Sequence, residues 1–170
     1  MDKDKYPKLI KKEKIDLSNA DLVDLMREVL ARGGKFRFQA KGASMSPFIK
    51  AGDILTIFPV KDTKSGIGKI VACLEAQQEK LLVHRIVAKK NGAYLIKGDN
   101  SDNQSDGWFY EQSILGVVGK VERGQRTISL GLGWERWLIA FLSKKGILGR
   151  IINRLRKYQK MIKGRHKTYP

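Results

Sequence analysis

Residues 17–34 read as an amphipathic helix. In "LSNADLVDLMREVLARGG", Leu22, Leu25, Met26, Val29 and Leu30 recur at i, i+3, i+4, i+7 and i+8, so they share one face. Ser18 stands where an N-cap belongs, with Asp21 three residues on. Leu17 and Leu22 are spaced as a hydrophobic staple, and Gly33–Gly34 ends the run. From Lys35 to Leu130 the period shortens to that of strands. "KFRFQA" alternates, and "DILTIFPV", "KIVACLE", "KLLVHRIVAKK", "AYLIKG", "ILGVVGKVERG" and "RTISL" are short β-branched runs separated by Gly, Asp and Asn. Such spacing predicts a barrel or a coiled pair of sheets. Asn91-Gly92, between two of these runs, predicts a tight hairpin. Beyond Gly133 the helical period returns. Trp134, Trp137, Leu138, Phe141 and Leu142 form one stripe. After breaks expected at Gly146 and Gly149, Ile151, Ile152, Leu155 and Ile162 form another amid arginines and lysines.

The 170 residues thus divide into a charged segment and helix over 1–34, a β-rich domain over 35–130 and a basic amphipathic tail over 131–170. The fold class is mainly β (α+β), and 42% hydrophobic residues suffice for a real core. A lone cysteine, Cys73, provides neither an internal disulfide nor a four-cysteine zinc site. His84 and His166 are the only histidines, so no metal or other cofactor is expected. "KSGIGK" (Lys64 to Lys69) lacks the spacing and the following Ser or Thr of a phosphate loop.

The charge is uneven. No acidic residue follows Glu135, and eleven lysines and arginines do; subtracting these 11 from the net +17 leaves +6 for the first 135 residues. A basic end of this kind favours an anionic partner, lipid or nucleic acid. Aromatic residues from Lys144 onward are limited to Tyr158 and Tyr169, thin for base stacking, which argues against nucleic acid. "WLIAFL" falls far short of the roughly 20 residues a bilayer span needs. The mixed charges of "MDKDKYPKLIKKEKIDL" lack the apolar centre of a secretory signal. The tail, residues 134–167, therefore reads either as a peripheral, interfacial element on anionic membrane or as a helix folded onto the β-domain with a solvated basic face. The expected location is peripheral at a membrane or cytoplasmic.

Three pieces carry candidate chemistry. The loop "KGASMSPFIKAGD" (Lys41 to Asp53) holds Ser44 between Gly42, which permits a tight turn, and Pro47, which biases Ser46 toward extended geometry. A serine hydroxyl needs a base in hydrogen-bond reach and donors for the developing oxyanion. His84 lies in the alternating strand "LLVHRIV", with Val83 and Arg85 on the opposite face. Asp99, Asp102 and Asp106 lie in the turn-rich "IKGDNSDNQSDG". Nucleophile, base and orienting carboxylate are all present, although Ser-rich and Asp-rich loops are ordinarily structural.

"GASMSPFIKAGDILTI" resembles the G-x-S-M-x-P box of the signal peptidase I family, and "VHRIV" with "YLIKGDNSDNQSD" is similar to its archaeal and endoplasmic-reticulum form, where a histidine replaces the lysine base. Ser44 precedes His84 by 40 residues, and His84 precedes Asp99 by 15. The resemblance spans about Lys41 to Val121. It implies a signal-peptidase/SOS-repressor-like coiled β-sheet, Ser44 as nucleophile and His84 as general base. The backbone N–H of Ser44 is the implied oxyanion donor. Asp106 is the favoured orienting carboxylate; Asp99 belongs to the catalytic group by shaping the loop, and Asp102 is the third candidate. The implied substrate is a leader or signal-like peptide cut after small residues.

Two positions depart from the family pattern. Gly42 replaces a serine that can assist the oxyanion in bacterial relatives. The helix ahead of the serine box carries Asp21, Asp24, Arg27, Glu28 and Arg32, so it is not the usual membrane anchor. Two other readings stand beside the peptidase. A self-cleaving, SOS-repressor-like protease shares the S-M-x-P box but uses lysine as base and carries a DNA-binding module. A non-catalytic module would bind membrane or nucleic acid through the tail alone.

Overall fold

The computed structural model describes residues 18–60, 66–75, 80–101 and 104–165. Helix α1 spans Asn19–Ala31 and opens as its sequence dictates: the Ser18 hydroxyl caps the Asp21 N–H at 3.2 Å and meets the Asp21 carboxylate at 2.6 Å. Leu17, the other half of the expected staple, lies outside the described residues. Val23, Met26 and Leu30 are buried, and Met26 is fully enclosed.

Eight strands follow: β1 (Phe36–Gln39), β2 (Ile54–Pro59), β3 (Ile70–Glu75), β4 (Lys80–Lys90), β5 (Ala93–Lys97), β6 (Gly107–Tyr110), β7 (Ile114–Arg123) and β8 (Arg126–Thr127). They form one curled antiparallel sheet in the order β1-β2-β7-β3-β4-β5-β6, with β8 paired to β7. The mainly β, α+β fold class holds. Asn91 and Gly92 both take positive φ, 49° and 77°, as the hairpin between β4 and β5 requires. Register shifts between Thr56 and Ile57 in β2 and between Ile86 and Ala88 in β4 bend the sheet.

Alternation along the strands feeds two cores. Ile70 and Ala72 join Met26, Leu30, Leu55, Ile57, Val118 and Val121 beneath α1. Val71 and Cys73, one residue out of phase, join Ile86, Tyr94, Ile96, Phe109 and Val117 on the other side. Truncating Met26 to alanine would remove about 2–5 kcal/mol of this packing.

Three expectations are corrected. β6 lies where turn residues predicted only loop. "RTISL" contributes just the two residues of β8. Gly149 does not break a helix: α2 covers Arg136–Lys144, and α3 runs unbroken over Ile147–Arg165. A lone helical glycine costs about 1 kcal/mol, which packing overrides.

The two C-terminal helices dock on the sheet. Ile139, Leu148 and Ile152 enclose Phe48 of the loop after β1. The stripe predicted here splits: Leu142 packs on this cluster, while Trp137, Leu138 and Phe141 of α2, and Trp134 just before it, are exposed.

Candidate active site

The serine loop is the connection between β1 and β2, pinched shut at its base. The Ala40 N–H donates to the Asp53 carbonyl at 2.8 Å and the Gly52 N–H to the Ala40 carbonyl at 3.0 Å. Arg123 of β7 grips Asp53 through two hydrogen bonds of 2.8 Å and reaches the Phe48 carbonyl at 3.3 Å. The Arg123 hydrogen bonds hold the Asp53 carboxyl below the usual carboxylate range, against the opposing effect of burial. Gly42 sits at φ +84°, a conformation that favours glycine, and the Ser46–Pro47 peptide is cis. Inside the loop, the Ser46 N–H donates to the Ala43 carbonyl at 3.1 Å and the Ile49 N–H to that of Met45 at 3.0 Å.

This turn aims Ser44 at β4. Its hydroxyl oxygen is 2.7 Å from His84 Nε2, and His84 Nδ1 is 2.6 Å from Asp106 Oδ2. His84 is buried, while the Asp106 side chain keeps about a quarter of its surface exposed. With Asp106 accepting from Nδ1–H, the Nε2 lone pair faces the serine proton. Serine, histidine and aspartate, spread over 63 residues of chain, therefore make one hydrogen-bonded line.

Asp99 lies off that line. Arg85 holds both its oxygens, at 2.8 and 2.7 Å, and both side chains are fully buried. The carboxylate on the His84 ring is that of Asp106, and Asp99 pairs with Arg85 instead. Asp102 lies outside the described residues.

Sequence reasoning missed the residues that support the line. Arg85 also donates to the carbonyls of Gly68 and Gly131 at 2.7 and 2.8 Å. Asn100 clamps the serine loop from the far side. Its N–H donates to the Ser44 carbonyl at 2.7 Å and its side-chain amide to the Ala43 carbonyl at 3.1 Å. Gly98 is a close approach: a Cβ there would stand 3.0 Å from the Ser44 carbonyl oxygen and 3.2 Å from His84 Nε2. The one sequence signal for this clamp was the position of "GDN" immediately after a predicted strand.

A groove of about 550 Å³ opens over Ser44 and His84. Phe38, Met45, Leu55, Leu81 and Val83 make part of it apolar, and Leu22 of α1 also borders it. Among the described residues, no group of His, Cys, Asp and Glu gathers to hold a metal ion. No helix among them is long and apolar enough to cross a membrane.

Comparison with known proteins adds one finding. A family model described as Peptidase S24-like matches residues 10–121. No curated protein matches the chain.

Proposed function

From the premise that the chain belongs to the Peptidase S24-like family, whose activity is that of serine-type peptidases, we propose a Ser–His–Asp endopeptidase of signal-peptidase type that cleaves leader or signal-like peptides after small residues. The observation that carries the proposal is the continuous line from the Ser44 hydroxyl through His84 to Asp106 at 2.7 and 2.6 Å. His84 takes the Ser44 proton as the oxygen attacks a peptide carbonyl, forming the acyl-enzyme, and returns the proton to the leaving amine. In the second half, His84 draws a proton from water as the water oxygen attacks the acyl carbonyl, then gives that proton to Ser44 Oγ as the ester bond breaks and the carboxylic acid leaves. Asp106 fixes the Nδ1–H tautomer and supports the imidazolium. The Ser44 backbone N–H, at the start of a tight turn, is assigned to the oxyanion. The apolar part of the groove suits uncharged peptide side chains, and Lys41, Glu75 and Lys80 also line it.

The test uses purified wild-type, Ser44→Ala and His84→Ala proteins, each incubated with a panel of leader peptides and read by mass spectrometry. Cleavage by wild type, reduced on the order of 10⁶-fold in either variant, is expected. Equal cleavage by all three proteins, or none by wild type with lipid present, overturns the reading.

The family match equally accommodates an enzyme that cleaves its own chain. Against a lysine-based version of that reaction, the side chain that meets the Ser44 hydroxyl is the imidazole of His84, at 2.7 Å. Intact-mass measurement of the incubated protein separates the two readings. Self-cleavage gives fragments in wild type that Ser44→Ala lacks.

A further inference from the structure

The C-terminal arm lies outside the stretch that matches the peptidase family, which ends at Val121. Among the described residues, ten of the thirteen exposed large apolar side chains fall between Leu130 and Ile162. Trp134 is 84% exposed, in a residue type that is highly buried on average. On α2 the outward side chains Trp137, Leu138 and Phe141 keep i, i+1, i+4 spacing, with Trp134 exposed in the turn just before the helix, while Ile139 and Ala140 face the protein. On α3, Leu155 and Ile162 are exposed although they continue the face on which Leu148 and Ile152 are buried, further toward the C-terminus. Docking thus covers one side of α2 and only the first part of the apolar stripe of α3, leaving the other side of α2 and the rest of that stripe open.

The occupant of this open surface is constrained by charge. Eleven lysines and arginines and no acidic residue follow Glu135, and Lys144, Lys145, Arg154 and Lys157 are exposed. Cationic side chains beside outward tryptophans and leucines match a surface that is anionic at its face and hydrocarbon just below. A nucleic acid would neutralise the charges but leave Leu138, Leu155 and Ile162 in water.

We propose that α2 and α3 form an interfacial element that docks the protein on anionic lipid bilayers without crossing them. The arm is fixed to the reaction centre: Phe48 of the serine loop packs among Ile139, Leu148 and Ile152, and Arg85, next to His84 in the chain, binds the Gly131 carbonyl. Docking thus holds the groove at a set height above the membrane, where a peptide emerging from lipid can enter. The docking itself does not depend on the cleavage reading.

The experiment is flotation of the full chain with vesicles of mixed phosphatidylglycerol and phosphatidylcholine, with phosphatidylcholine alone as control and tryptophan emission as a second readout. Wild type is expected to float with the anionic vesicles and shift its emission to shorter wavelength. Replacing Trp134, Trp137, Leu138 and Phe141 together by serine is expected to weaken binding at least about tenfold. Changing Lys144, Lys145, Arg154 and Lys157 to glutamine is expected to abolish the preference for anionic vesicles. Both sets are exposed, so unchanged cleavage of a soluble peptide shows that the fold and the catalytic reading survive. Absence of flotation, flotation undiminished in the apolar variant, tighter binding to duplex DNA or RNA, or a wild-type dimer dissolved by the apolar changes would each overturn the proposal.

Discussion

Arg85 and Asp99 meet through two hydrogen bonds, 2.8 and 2.7 Å long, with neither side chain reaching solvent. Their chain neighbours are His84 and Asn100, so the pair underlies both the proposed base and the clamp on the serine loop. Removing one partner of a buried pair strands the other charge, and Asp99→Ala or Arg85→Met is expected to lower stability by about 3–5 kcal/mol. Asp106, partly exposed and bonded to the histidine, is a contrasting case. Asp106→Asn should leave the thermal midpoint near wild type while lowering turnover about 10⁴-fold. Paired thermal unfolding and peptide-cleavage assays distinguish the carboxylates: equal stability losses in both variants would contradict this division.

Gly98 makes a sharper geometric test. A methyl group at this position meets Ser101 Oγ at 2.9 Å, the Ser44 carbonyl oxygen at 3.0 Å and His84 Nε2 at 3.2 Å, so each must give by a few tenths of an ångström. Gly98→Ala is expected to lower kcat, by less than the roughly 10²-fold cost of a full ångström's misplacement, with KM little changed. Full activity would mean that the pair tolerates more movement than the packing implies.

Asp53 links acidity to the closure of the serine loop. Arg123 lowers its carboxyl pKa on folding, so the group adds stability above its unfolded value of about 3.9. That contribution fades as pH drops through the still lower folded value. At neutral pH, Asp53→Asn should unfold at a lower temperature than wild type. The difference should narrow as pH falls from about 5 toward about 3, because protonation removes the same charge from wild type. Melting curves across this range supply the check; a constant difference would rule out the charge as its source.

Cys73 is expected to be chemically silent in the folded protein. Burial, helped by the nearby Asp106 and Glu75 carboxylates, pushes its thiol up to about 12. Iodoacetamide at about pH 8 should leave the native chain unmodified and label it once urea unfolds it, as mass spectrometry would show. Rapid labelling of the native chain would indicate that β3 opens readily.

The sheet was legible wherever burial followed the strand period. Seven of the eight strands fall within runs read from alternation or β-branching, and the Asn91-Gly92 turn follows from local chemistry alone. β6 was not legible, since Phe109 is its only buried residue and the Asp, Asn and Gly before it signal a turn. Ser44 and His84 were visible as residue types in suitable settings, and Asp106 through family resemblance. Their supports were hidden for a different reason. Arg85 was placed by alternation opposite His84, but nothing in the strand pattern shows that this face is also buried or that Asp99 closes over it. The α2 stripe likewise announced a face without saying which side of the helix the protein would cover.

The guanidinium of Arg85 rests on the Gly131 carbonyl, and its cross-strand neighbour Lys97 rests on that of Ser143. A shortened chain ending at Leu130 would delete both oxygens and leave two enclosed cations short of an acceptor, one of them adjacent to His84 in the backbone. Anyone trimming this protein to its β-sheet for easier handling should therefore expect a damaged reaction centre as well as the loss of an arm.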